Sequence, residues 1–345
     1  MSNADFQFAL VLFRENDARH LAQVPIVPDW EPAFEHIRFL GIRRGLRPAE
    51  MAAIPVAIEP IWHPRMGHPF LDAFRLVLDG TPAVADDLPT AYLNPLARQA
   101  VASLIEAGTI SATDRVRYLV CALPATPAEE VAASGLVFED LPQPLPLCPS
   151  RLADTLGPRS AQVGAPWDAN DLPVVIPEPV IAETHAQSRA ADTHETGGIL
   201  IGTLHRDPES AELFVEVTAQ LPAKHTIAHE ARLTFTDETW AAARTDVADR
   251  GDGTIILGWW HYHPFFCRNC PPKRRATCSL DSTFFSRDDV HLHRVCFNQP
   301  YAVALLISQR PTELTTALFG WRRATVESRG FYTKGELSHA SHPTC

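Results

Sequence analysis

The sequence predicts an α/β protein, in which a small α+β region precedes an α/β sandwich built around a mixed sheet. Three observations lead there. At 345 residues the chain exceeds one average domain, so two is the natural division. Proline crowds the middle, from "LPQPLPLCPSRL" to "GAPWDANDLP", where it denies the backbone helix interiors and central strands. Beyond that stretch, continuous apolar runs alternate with amphipathic helical segments. The expected division is an N-terminal α+β domain of unknown role at 1–140, a proline-rich linker at 141–171, an α/β domain at 172–325 and a tail at 326–345.

In the N-terminal region "FQFALVLF", "AFRLVLDG" and "RVRYLVCAL" read as strands. "NPLARQAVASLIEAG" reads as a helix, with Asn94 as cap, apolar residues at helical spacing and Gly108 as stop. His63 and His68 sit beside prolines in "IWHPRMGHPF", a setting that suits structural histidines better than ligands. In the C-terminal region "PEPVIAETHAQSRAA" fits a helix with Pro177 near its first turn. "TGGILIGTL" is a continuous apolar strand, "AELFVEVTAQL" alternates as a half-buried one, and "RLTFT" is a short third. A helix follows in "DETWAAARTDVADRG", between an Asp237 cap and a Gly251 stop. After the buried strand "TIILGWW", "SRDDVHLHRVCFN" reads as a helix capped by Ser286, with Asp288 and Asp289 in its favourable first turn. "YAVALLIS" and "ELTTALFGW" add two strands.

Composition narrows the function. A hydrophobic fraction of 46% and a charged fraction of 21% describe an ordinary globular protein. The formal charge of -11 leaves no basic excess to neutralise phosphates, which argues against a general nucleic-acid binder. No apolar run approaches the roughly 20 residues that cross a bilayer. "FQFALVLF" is short and preceded by Asp5, so it reads as a strand and not as a signal peptide, and a cytoplasmic protein is the expectation. The seven cysteines are odd in number, which points toward thiols or metal ligands and away from a disulfide framework.

The chemistry gathers around "GWWHYHPFFCRNC". On a strand, residues two apart project to one face, so His261 and His263 can reach one metal ion, or can simply end a strand in polar residues. Catalytic zinc usually takes three protein ligands and leaves a position open. Asp289, three residues after Ser286 on the next helix, offers a third ligand, although an ordinary serine-capped helix explains the same residues. Glu195 enters the apolar strand "TGGILIG" and offers a base, or a solvated strand start. The paired Gly197 and Gly198 let another segment approach the backbone closely.

In this order, Glu195 ahead of "TGGILIG", then "GWWHYHP", then Ser286-x-x-Asp289 in "SRDD", these elements resemble the JAB/MPN domain metalloproteases whose active members carry the JAMM motif. "FNQPYAVALLIS" is also similar to the strand after that family's metal helix, and the resemblance covers about half the chain, from Leu172 to Arg323. It implies a cytidine deaminase-like α/β sandwich and zinc-dependent hydrolysis of an amide, usually in ubiquitin or a ubiquitin-like protein or its conjugates. By resemblance, His261, His263 and Asp289 are the catalytic zinc ligands, Glu195 is the general base, and Ser286 helps bind the oxyanion. Modifier-activating or conjugating enzymes are further expected partners, with no nucleic acid and no membrane. A non-catalytic MPN scaffold, or a metallohydrolase of small peptide or amino-acid conjugates, are the alternatives.

One departure from the family is the insertion at 265–282. Cys267, Cys270 and Cys278 have the spacing of a structural zinc knuckle, so a second Zn2+ is expected, with Cys296 as fourth ligand and His293 or His291 next. Free cysteines in a reducing compartment are the plainer reading. Lys273, Arg274 and Arg275 in "PPKRR" suit either contact with an acidic protein surface or mere solubility.

Overall fold

The computed structural model describes residues 6–16, 19–47, 54–79, 84–124, 145–168, 170–223, 235–251, 253–264, 282–310 and 313–335. They divide between two units, Met1–Pro144 and Leu145–Cys345.

The first unit runs β1 (Phe6–Arg14), β2 (His20–Ile26), α1 (Glu31–Arg43), β3 (Val56–Trp62), β4 (Phe70–Leu78), β5 (Val84–Pro89), α2 (Asn94–Glu106) and β6 (Val116–Pro124). Its strands lie in the order β2-β1-β6-β4-β3, with β5 on β4, and every pairing is antiparallel. Phe74, Leu76 and Leu78 are buried at every second position of β4, the period of a half-buried sheet, whereas Ala9–Leu12 of β1 are buried on both faces. Trp30 meets Phe8 and Phe74 edge-on and stacks on Tyr92, whose hydroxyl donates to the Asp29 carbonyl. Asn94 is the first residue of α2 and not its cap, because a 3-10 turn at Thr90–Leu93 feeds the helix directly. His63 is a turn residue, its Nδ1 accepting the backbone N–H groups of Arg65 and Met66.

The second unit comprises β7 (Leu147–Pro149), α3 (Leu152–Leu156), β8 (Ala161–Gly164), β9 (Val174–Pro177), α4 (Glu178–Ala191), β10 (Gly197–Arg206), β11 (Leu213–Pro222), α5 (Asp237–Arg250), β12 (Ile255–His263), α6 (Arg287–Cys296), β13 (Val303–Gln309), β14 (Leu314–Arg322) and β15 (Thr325–Lys334). The sheet order is β11-β9-β15-β14-β13-β12-β10, and β10 pairs again with β11. Seven strands therefore close into a barrel. The unit is mostly β, which corrects the expected JAB/MPN-like α/β sandwich with a mixed sheet.

The reason for the correction lies in two strands. β9 bridges β11 and β15, pairing parallel with both, and without it and β15 the sheet would keep open edges at β11 and β14. β9 is only four residues with no alternation to announce it, and β15 takes up the first part, to Lys334, of the segment expected to be a tail at 326–345. The expected linker at 141–171 is likewise structured in part, since β7 joins β10 and β8 joins β15. Closure removes unpaired strand edges.

β12 is buried on both faces from Leu257 onward. Trp259 and Trp260 are adjacent and fully buried, so they point to opposite sides. Trp259 joins Ile199, Leu306, Phe319 and Trp321, covered by Trp240 of α5 and Leu292 of α6. The Trp260 indole donates to Gln220, whose amide donates to Glu183 of α4. Gly258 makes the β12–β13 approach possible, because a Cβ there would stand 1.8 Å from the Val303 carbonyl oxygen. On α5, Thr236 and not Asp237 is the N-cap, accepting the Thr239 N–H. Cys121 and Cys296 are free, whereas Cys148 is disulfide-bonded, against the expectation of thiols and metal ligands alone. No helix among the described residues is long and apolar enough to cross a membrane.

The arm preceding β9 is clamped to the barrel by charge. Asp171 accepts two hydrogen bonds from Arg322, at 2.9 and 2.6 Å, and lies 3.6 Å from the Arg329 guanidinium. Arg329 is 1% exposed and also donates to the Leu172 and Trp321 carbonyls. Burial alone would raise the Asp171 pKa, but the Arg322 hydrogen bonds and both arginine charges hold it below the usual aspartate range. Asp171→Asn takes the carboxylate charge away from the buried Arg329 guanidinium and is expected to cost about 3 kcal/mol in urea unfolding. The wild-type contribution is complete above the unfolded aspartate value, about 3.9, and is lost as pH falls through the lower folded value. Equal midpoints for wild type and variant at neutral pH would dismiss the clamp.

Candidate metal centre

The strand period puts Trp259, His261 and His263 on one face of β12. The Nε2 atoms of His261 and His263 are 2.9 Å apart, and both residues are buried. Asp289 arrives from the first turn of α6, where a reciprocal cap fixes it. Ser286 Oγ accepts the Asp289 N–H at 3.1 Å, and the Ser286 N–H donates to Asp289 Oδ2 at 2.7 Å. Asp289 Oδ1 then lies 3.4 Å from His261 Nε2, and Oδ2 lies 3.6 Å from His263 Nε2.

All three ligand atoms fall within 4.8 Å of one another, so the group can hold a metal ion. A tetrahedral centre with bonds of about 2.0–2.1 Å separates its donors by about 3.3 Å. The two Nε2 atoms stand 2.9 Å apart, and each has one Asp289 oxygen, Oδ1 at 3.4 Å or Oδ2 at 3.6 Å, on the other side of that value.

Glu195 lies at the same end of the strands. Gly197 pairs with His261 and the Tyr262 N–H donates to the Thr196 carbonyl, so the chain entering β10 runs level with His263. Gly198 permits the fit: a Cβ would stand 2.3 Å from the Leu221 carbonyl oxygen and 2.6 Å from the Trp260 indole nitrogen. Glu195 is 7% exposed. Burial pushes its carboxyl up to about 7, with His263 pulling it down and Asp289 pushing it further up.

The ligands themselves divide the charge. Burial would raise Asp289, yet hydrogen bonds from His261 and His263 hold it far below the usual carboxylate range. Burial lowers His261, whereas for His263 the same penalty is outweighed by Asp289 and the Ser282 carbonyl, so its pKa is raised. A backbone carbonyl only accepts, so His263 Nδ1 carries the proton in its 3.0 Å bond to Ser282. The neutral ring then turns its Nε2 lone pair to the centre. Ser308, the β13 partner of His263, donates to the same carbonyl at 3.1 Å.

The five residues singled out in the sequence thus fall in one region, with Ser286 seen here as a helix cap that holds a ligand. Ser282 and Ser308 carry no sequence signal; strand register brings Ser308 to His263, and the chain ahead of α6 brings Ser282. The proposed cysteine site is different. Cys267, Cys270 and Cys278 lie outside the described residues. Cys296 is an exposed free thiol on α6. His293, a suggested alternative ligand there, instead points into the core and accepts the Trp259 indole N–H at 3.2 Å.

No family model matches the chain, and no curated protein matches it. Among solved structures, it is similar to a protein of Desulfitobacterium hafniense determined in solution. That match has 22% identity and a TM-score of 0.36, covering 49% of this chain and 99% of the other, too low to carry an argument about fold or function.

The geometry predicts uptake of one Zn2+ or Co2+ per chain at the triad, measured by competition with a chromophoric chelator. His261→Ala or Asp289→Ala is expected to weaken it by more than the roughly 100-fold that outer partners command, and Ser308→Ala by about tenfold. On acidification a second proton takes the His263 Nε2 and competes with the ion, so affinity falls as pH drops through that raised pKa. Unchanged affinity in the Asp289 variant would remove α6 from the site.

Proposed function

We propose that the barrel unit is a zinc-dependent peptidase that cleaves an amide in a ubiquitin-like protein or its conjugates, as the JAMM resemblance implies. One observation carries the reading: two buried histidines and Asp289 converge beside a buried carboxyl, Glu195, whose pKa lies near neutrality. Two imidazoles and a carboxylate are a donor set that zinc accepts with a position left open. His261, His263 and Asp289 would hold the ion. Bound there, it supplies Lewis-acid polarisation of a scissile carbonyl and acidifies solvent.

The remaining work falls to the chain. Glu195, ionised, takes a proton from the attacking water; the C–O bond forms, the C–N bond breaks, and the same proton passes to the leaving amine. Ser286 accepts the Asp289 N–H with a lone pair and keeps its own O–H to donate toward the developing oxyanion. Phe284 is 52% exposed with its ring 5.9 Å from His263, and offers an apolar contact for a substrate chain beside the ligands. The motif resemblance supplies the choice of a protein modifier as substrate.

Glu195→Gln preserves shape and removes the base. It is expected to keep metal affinity while kcat/KM on a modifier–peptide fusion falls about 10²–10⁴-fold. Protonated Glu195 cannot accept, so wild-type kcat/KM falls on acidification. A bound cation favours the carboxylate, which draws the midpoint from about 7 toward the ordinary glutamate value. Cleavage by the variant at the wild-type rate would sink the assignment of the base.

A further inference from the structure

Trp259 and His293 lie outside the ligand set, and the chemistry above gives them nothing to do. Their role follows from a difference between the two histidine ligands. His263 is aimed by a hydrogen bond at its far nitrogen. His261 is fully buried, and its Nδ1 has no hydrogen-bond partner among the described residues. Ligand imidazoles ordinarily hold that nitrogen on a carbonyl or carboxylate. Something else must set the plane of this ring.

Trp259 does so by contact. Its indole lies nearly parallel to the His261 imidazole, with centroids 4.5 Å apart and planes 14° from one another, while Phe285 leans on the imidazole at 5.4 Å. The indole is itself fully buried, and its N–H donates to His293 Nδ1 at 3.2 Å. His293 sits between Phe297 and Trp321, with centroids at 6.0 and 5.4 Å, and the Trp321 indole is tied to the Phe297 carbonyl at 2.8 Å. Burial, aided by the positive charge of Arg329, drives the His293 pKa down to about 3, so Nδ1 stays an acceptor at working pH.

We propose that His293 is a positioning residue for the metal centre: through the indole hydrogen bond it holds Trp259 flat against His261 and so aims that ligand's Nε2 at the ion. The inference rests on the metallopeptidase reading. It makes α6 the source of one ligand directly, Asp289, and the orienter of another from the next turn.

The test uses the full chain. His293→Leu removes the acceptor at similar bulk; His293→Asn returns one where Nδ1 stood. Zinc affinity from chelator competition is expected to fall about 10–100-fold in His293→Leu. The visible spectrum of the Co2+-loaded protein should change with it, and His293→Asn should recover most of both. In the wild type, the Trp259 indole N–H resonance, assigned by its loss in Trp259→Phe, should be protected from exchange and should shift when Zn2+ is added. A folded His293→Leu with wild-type affinity and Co2+ spectrum, altered only in melting temperature, overturns the positioning role. If that variant does not fold, a wild-type indole resonance that exchanges freely or ignores Zn2+ overturns it instead. Wild-type protein that binds no Zn2+ would overturn the peptidase reading along with it, whereas wild-type binding with an unaffected variant overturns this inference alone.

Discussion

The position of β12 between β10 and β13 is the constraint on which the candidate metal centre depends. Antiparallel pairing on one side sets Gly197 opposite His261 and brings Glu195 to the level of the ligands. Parallel pairing on the other sets Ser308 opposite His263, where it shares the Ser282 carbonyl with that ring. A slip of one residue in either register would turn every side chain of β12 to the other face and dissolve the site. Two glycines guard the registers: a side chain at Gly198 would collide with β11, and one at Gly258 with β13.

α6 supplies what the sheet cannot. A carboxylate left to rotate in solvent is a poor partner for two buried imidazoles, but the reciprocal cap with Ser286 consumes one oxygen of Asp289 in helix geometry and points both toward β12. Helix capping and ligand placement are therefore one structural act. The same helix buries His293 against Trp259, so its docking on the sheet is specified by hydrogen bonding as well as by apolar contact.

These short-range relations explain what could be read from the sequence. A strand period of two relates His261 to His263, a capping pattern relates Ser286 to Asp289, and a glycine-marked strand entrance carries Glu195. Each is local, so each leaves a local trace. The barrel is closed by relations that leave none. β9 is four residues long, and β15 follows a two-residue turn in which Arg323 and Ala324 adopt positive φ without glycine to mark it. Apolar runs alternating with helices looked like layers, although closure depended on segments that looked like linker and tail. Ser308 and His293 were invisible for a related reason: one is assigned by strand register and the other by helix docking, neither of which has a spacing in the chain.

Burial alone does not mark Glu195 as functional, and the same barrel shows why. At the other end of β10, Glu216 is 4% exposed, paired in register with Thr203, contacted by the Lys334 ammonium and 3.3 Å from His205. Burial pushes its pKa up, but the hydrogen bonds from His205 and Lys334 and their charges outweigh that and bring it to about 2. Glu195 is comparably enclosed, yet the charges around it oppose each other, His263 favouring ionisation and Asp289 resisting it, so desolvation prevails and the pKa climbs to about 7. One glutamate is neutralised by partners that close the barrel and fixes structure. The other has its pKa raised to about 7 by burial beside three side chains that could hold a metal ion, which is the setting from which the proposed role as base is argued.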